Sequence, residues 1–204
     1  MKQIFLTLKF FDAIDHLPTR EEVLDFFVTK NLSRQYKRDE LNSIISDLIK
    51  SREVVLFEDL YLGLPDSNFE IRKAKQLEKI MVSKLILKKL KKHKKIFNFI
   101  DSLDLFGLFG KYSEINLIIL NEKLSPLHRF ILKLMKIKDP LIIYESDLRF
   151  KSGDIRSAFY LLKMPHAYSK PGVYEKFIFK NPWIFEYFGN YPVDKISLSY
   201  KVVI

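Results

Sequence analysis

Apolar residues recur along this chain with two periods, and the switch between them marks the elements. Ile4, Leu8, Phe11 and Ile14 fall on one helical face, and Leu17-Pro18 ends that run. Thr19-Arg20-Glu21-Glu22 sets a hydroxyl three residues before a carboxylate, a capping box that opens a second helix from Arg20 to about Thr29. Leu41, Ile44, Ile45, Leu48 and Ile49 predict a third helix over Arg38 to Lys50. Val54–Phe57 and Leu60–Leu62 predict two short strands about a tight turn at Glu58-Asp59. A long helix is predicted from Asn68 to about His93, with Ile71, Ala74, Leu77, Met81 and Leu85 as its buried stripe. Strands are then expected at Ile96–Ile100 and Ile115–Leu120, with Asp101 to Glu114 between them, and at Leu141–Tyr144. Helices are expected at Pro126–Met135, Asp154–Leu162, Val173–Lys180 and Pro182–Phe188. The alternation over Lys195–Val202 predicts a last, amphipathic strand.

Three short helices followed by a hairpin is the order of a winged helix. The pattern divides the chain into a winged-helix domain over 1–65, a basic connecting helix over 66–95, and an α/β core with helical C-terminal additions over 96–204. The fold class expected is therefore α+β. No internal repeat or low-complexity segment interrupts it.

Composition narrows the chemistry. The 204 residues are 48% apolar, enough for a packed core, and contain no cysteine, which excludes disulfides, thiolate metal sites and thiol nucleophiles. Six glycines make a glycine-clustered phosphate loop unexpected. No apolar run approaches the roughly 18 residues of a membrane span, and the first residues lack the pattern of a signal peptide. The expected location is the cytoplasm, with no membrane partner. His16, His93, His128 and His166 are scattered without metal-ligand spacing. Trp183 and its neighbours Phe177, Phe179, Phe185, Tyr187 and Phe188 are expected to pack in the core.

The net charge of +10 is unevenly spread: residues 1–65 carry −2, residues 66–100 carry +8 and residues 101–204 carry +4. The basic excess thus lies on the connecting helix rather than on the domain where a DNA reader would first be sought. Lys84, Lys88, Lys91 and Lys92 are the candidate nucleic-acid contacts, against the alternative of a solvated face. Arg38 could reach a phosphate, but Asp39, Glu40 and Asp47 share its helix.

Asp101-Ser102 is followed, after eleven residues, by Glu114-Ile115-Asn116-Leu117. Alternation puts residues 114 and 116 on one face of a strand, where two carboxylates could hold metal ions while a serine turn binds phosphate. With the winged-helix order ahead of it, this layout resembles the nucleotidyltransferase-like proteins that carry an N-terminal winged helix. That family pairs a Gly-Ser turn with a Ser-Asp-x-Asp-Leu strand, where this chain has Asp101-Ser102 and Ser113-Glu114-Ile115-Asn116-Leu117. Asp154-Ile155-Arg156-Ser157-Ala158, Asn181-Pro182-Trp183-Ile184 and Gly189-Asn190-Tyr191-Pro192 resemble later segments of the family, so the likeness runs over roughly residues 1–192.

The resemblance implies a reduced nucleotidyltransferase-like mixed sheet, with Ser102 and Asp101 at the cofactor turn and Glu114 as metal ligand. The departures imply a degenerate site. Asp101 replaces the turn glycine and opposes a phosphate, Asn116 is neutral, and a third carboxylate is unassigned, with Glu145 and Asp147 nearest the expected strand. The function expected is that of an inactive relative binding a nucleotide, a nucleic acid or a protein. One alternative is an active transferase using Mg²⁺ and an NTP, with Glu114 and either Asp101 or Asp104 as ligands. The other is a DNA-binding regulator or antitoxin-type protein that acts through the winged helix.

Overall fold

The structure is a computed structural model that describes residues 1–29, 36–91, 103–109, 115–123, 125–134, 137, 140–150, 153–164 and 166–198. In chain order its elements are α1 (Lys2–Ala13), α2 (Arg20–Asp25), α3 (Arg38–Lys50), β1 (Val55–Phe57), β2 (Tyr61–Gly63) and α4 (Phe69–Lys91). There follow β3 (Leu103–Phe109), β4 (Ile115–Leu120), α5 (Pro126–Leu134), β5 (Leu141–Tyr144), a 3-10 turn at Glu145–Asp147 and α6 (Ile155–Leu162). The chain then forms β6 (His166–Ser169), α7 (Val173–Phe179), α8 (Trp183–Tyr187) and α9 (Val193–Leu198). The fold is α+β. It divides into two compact units, residues 1–78 with 183–192 and residues 79–182 with 193–204, so the boundary falls within α4.

In the first unit, the three helices enclose Ile4, Leu8, Phe11, Val23, Leu24, Leu41, Ile45 and Leu48, all buried. Ile44, expected among them, is half-buried. The capping box forms as the sequence predicts: Thr19 Oγ1 accepts from the Glu22 N–H at 3.2 Å, and Glu22 Oε2 accepts from the Thr19 N–H at 3.0 Å. α2 ends at Asp25 rather than near Thr29. The buried Thr7 accounts for the backbone beyond it, accepting from the Val28 N–H at 3.1 Å while donating to Gln3 O. Residues 183–192 belong to this core because Phe188 packs on Phe10 and Phe26, with ring centroids 5.7 and 5.3 Å apart. The Thr29 N–H donates to Tyr187 O at 2.8 Å.

β1 and β2 pair antiparallel with Leu56 opposite Leu62. Glu58 and Asp59 both have positive φ, 50° and 53°, at the centre of a turn that the Leu60 N–H closes by donating to Phe57 O at 3.1 Å, and Glu58 to Leu60 form the three-residue hairpin loop. A third extended segment joins the hairpin between α1 and α2: Thr19 bridges Tyr61, and the Leu62 N–H donates to Pro18 O at 2.9 Å.

α4 departs from expectation. Its anchoring face is polar: Arg72 donates to Asp12 Oδ1 and to His16 O, and Gln76 Oε1 accepts from the Leu17 N–H at 2.6 Å. Burial pushes the Arg72 guanidinium below its ordinary pKa, against the pull of Asp12 and then Asp15. The apolar stripe predicted to be buried is instead exposed, with Ile71 at 53%, Leu77 at 52%, Met81 at 63% and Leu85 at 59%. Periodicity finds a face, and here the hydrogen-bonding side chains of a different face took the core side.

In the second unit, four strands form a mixed sheet in the order β5-β4-β3-β6. β3 pairs antiparallel with both β4 and β6, while β4 and β5, joined through α5, are parallel. Leu117 to Leu120 are all buried, as an inner strand covered on both faces requires. α7 packs on β3 and α9 on α7.

Three elements of this unit correct the sequence reading. The strand beside β4 is Leu103–Phe109, within the stretch expected to connect two strands, while the predicted strand Ile96–Ile100 lies outside the described residues. Gly107 permits this strand to be covered: a Cβ there would stand 2.8 Å from Met164 Sδ. β6 was not foreseen. At the C-terminus the expected strand is helix α9 as far as Leu198. Two apolar positions, Ile196 and Leu198, do not distinguish the two periods, and Ile196 is buried on the helix. Among the aromatic residues expected in the core, Phe177 and Phe188 are buried but Phe179 is 51% exposed.

Candidate functional site

The site that the sequence marks out centres on the start of β4. Asn116 is half-buried there, opposite Leu108 of β3. Asp101, Ser102 and Glu114 lie outside the described residues, as does Lys92. The described residues next to them in sequence stand at opposite ends of the β3–β4 pair: Leu103 faces Leu120, and Ile115 faces Phe109. Asp101-Ser102 thus precedes the strand that pairs with β4, instead of following it as a turn between two strands would.

The parallel neighbour β5 is where a third carboxylate would come to Asn116. Its four residues are Leu141, Ile142, Ile143 and Tyr144, paired with Leu117 to Leu120 in order. No acid stands on it. Glu145 and Asp147 follow at the far end, and Glu145 lies five positions, roughly 17 Å, along the strand direction from Asn116 at about 3.3 Å per residue. Glu145 is instead ion-paired with Lys176 of α7.

Asp104 is the buried carboxylate of the sheet, 3% exposed, at an irregularity in the β3–β4 register between Leu103 and Leu105. Such bulges re-aim a side chain out of strict alternation. Its Oδ1 is 2.8 Å from Lys170 Nζ and 3.5 Å from Asn121 Nδ2, the latter at the outer limit of a hydrogen bond. The Lys170 N–H donates to Asp104 O at 2.8 Å, while Asp104 Oδ2 is buried without a hydrogen-bond partner. The charge of Asp104 is met by an internal lysine. It also stands four residues along β3 from Leu108, roughly 13 Å from the Asn116 position. Its described ion-pair partner is Lys170, not a group beside Asn116. An aspartate inside the apolar run Leu103-Asp104-Leu105-Phe106 was the signal for this cluster; nothing in the sequence pointed to Lys170.

Mg²⁺ takes oxygen ligands, mostly anionic ones. Among the described residues no group of three or more His, Asp or Glu side chains could hold a metal ion. The described side chains around Asn116 therefore do not fit a two-metal centre.

Asn181, singled out in sequence as part of an Asn-x-Trp segment, has a structural explanation. It is 1% exposed; its Oδ1 accepts from the Phe150 N–H at 2.6 Å, and its Nδ2 donates to Leu148 O at 2.8 Å and Phe177 O at 2.7 Å. These bonds hold one wall of an open cavity of about 450 Å³ beside β5, lined by Leu141, Ile143, Tyr144 and Phe150 with Asp147 and Arg149.

The candidate nucleic-acid contacts divide. Lys84 and Lys88 are exposed on α4, and Lys91 closes that helix. In the first unit, Arg38 is not free to meet a phosphate. It is bound to the buried Asp25 at 2.7 Å and to Glu21, and these partners hold its pKa above the ordinary value although burial works the other way. The exposed positions of α3 are Asp39, Ser43, Asp47 and Lys50, with Lys50 set 3.6 Å from Asp47. Among the described residues, no helix is long and apolar enough to cross a membrane.

Comparison of the chain with protein-family models, with curated proteins and with solved structures found no match.

Proposed function

We propose that this chain is a nucleotidyltransferase-like protein that has lost transfer chemistry and acts as a binding scaffold. The observation that carries the reading is what stands around Asn116 among the described residues: Asn116 is neutral, and its parallel neighbour β5 reads Leu-Ile-Ile-Tyr. The strand order supports the family likeness, since an antiparallel pair followed by a helix and a parallel neighbour is the frame such a site needs. In the first unit, the extended segment at Pro18-Thr19 joining the β1–β2 hairpin supports a winged helix. The acidic exposed positions of α3 favour a protein-facing or supporting role for it over reading DNA.

Calorimetric titration of ATP with and without Mg²⁺ tests the proposal. The wild-type chain is expected to bind ATP no more tightly when Mg²⁺ is present. Glu114→Asp combined with Asn116→Asp gives the chain aspartates at both positions and is expected to introduce a metal dependence of about tenfold, near the differential of one added charge-assisted contact. Wild-type binding that requires Mg²⁺ would contradict the reading.

A further inference from the structure

The exposed apolar row on α4 has the geometry of a helix seam. Leu77, Ile80, Met81, Lys84, Leu85 and Lys88 follow the spacing i, i+3, i+4, i+7, i+8, i+11, which sets them side by side on one face over three turns. All six are exposed, the apolar members Leu77 at 52%, Ile80 at 42%, Met81 at 63% and Leu85 at 59%. Ile71 and Ala74, also exposed, continue the row toward the helix start. Single exposed apolar residues are ordinary, but an aligned row of them bordered by charge marks an interaction surface.

The charge says what fits. α4 carries eight Lys or Arg and two Glu. Arg72, Lys73 and Lys75 are occupied by Asp12, Glu58 and Asp15 within the first unit. Lys84 and Lys88 sit in the row itself. A nucleic acid would satisfy these lysines but leave Leu77, Met81 and Leu85 against phosphate and water. A second α4 would cover the apolar side chains but bring two strongly basic helices together. An amphipathic helix with leucine-type residues on one face and acids beside them satisfies both features. We infer that α4 is a docking surface for an acidic amphipathic helix of a partner protein, seated on Leu77, Ile80, Met81 and Leu85 and steered by Lys84 and Lys88. This inference does not depend on the nucleotidyltransferase-like reading, because neither the sheet nor a nucleotide enters it.

The test uses the full chain and a synthetic helical peptide of Leu, Ala and Glu with leucines at helical spacing, alongside a scrambled peptide of the same composition. Fluorescence anisotropy is read at about 0.15 M salt, where exposed charges are screened beyond about 8 Å. The ordered peptide is expected to bind at least tenfold more tightly than the scrambled one. Met81→Glu with Leu85→Glu is expected to weaken binding tenfold or more, and so is Lys84→Glu with Lys88→Glu, with circular dichroism unchanged in both. Equal binding of the scrambled peptide, or indifference to the Met81 and Leu85 substitutions, would overturn the proposal. So would a duplex oligonucleotide that displaces the peptide and binds the Met81/Leu85 variant as well as the wild type. Sedimentation showing a wild-type dimer that Met81→Glu dissolves would assign the surface to a second copy instead.

Discussion

Asp12→Ala should destabilise the first unit by more than its surface position suggests. Arg72 is almost fully buried, and its guanidinium is neutralised by Asp12 and hydrogen-bonded to His16 O, while Nε has no partner. Removing the carboxylate leaves a buried cation without its counter-charge and takes the acceptor from Ser67 Oγ, now 3.1 Å away. Breaking one side of a buried pair costs about 3–5 kcal/mol, and the Asp12 side chain is 32% exposed, so the lower end, about 3 kcal/mol, applies. The chain has one tryptophan, Trp183, and it lies in the first unit, so its fluorescence reports that unit's unfolding in urea. With a slope of about 1.5 kcal/mol per molar urea, the midpoint should fall by about 2 M. The exposed pair Lys50–Asp47 is the control, and Asp47→Ala should move the midpoint by less than about 0.3 M. Asp12→Ala with Arg72→Met removes both charges and should recover at least half the loss. A shift for Asp12→Ala no larger than the control, or a double variant no more stable than the single one, would refute the reasoning.

Two further substitutions address the second unit. Asn181→Ala removes three hydrogen bonds, from the Phe150 N–H and to Leu148 O and Phe177 O; a loss of about 2–4 kcal/mol and faster hydrogen exchange at Phe150 are expected. Gly107→Ala places a methyl 2.8 Å from Met164 Sδ and should cost about 1–3 kcal/mol by thermal melting, with Met164→Ala in the same chain relieving the clash.

What was legible in the sequence was the local part. The capping box at Thr19–Glu22, the bounds of α3 and the Glu58-Asp59 turn each depend on residues within four positions of one another. β3 was hidden because Asp104 and Gly107 are poor strand formers. Their places are secured by Lys170 and Met164, about sixty residues away in the chain, and no local pattern records such contacts. The α4 stripe was found but assigned to the wrong side. Apolar spacing cannot show that Arg72 and Gln76 on another face would find hydrogen-bond partners in Asp12, His16 and Leu17. For the candidate site, Asn116 stands on a strand as expected, whereas the distance from it to Glu145 follows from the parallel β4–β5 register alone.

Nucleotide turnover tests the central claim most directly. The full chain is incubated with each NTP and Mn²⁺ or Mg²⁺, and pyrophosphate release is measured together with transfer of label from the α-phosphate. With Asn116 neutral and β5 free of acids, the account predicts no turnover above that of buffer with either metal. Metal-dependent release of pyrophosphate that Glu114→Gln abolishes would contradict it and show that the chain is a working transferase.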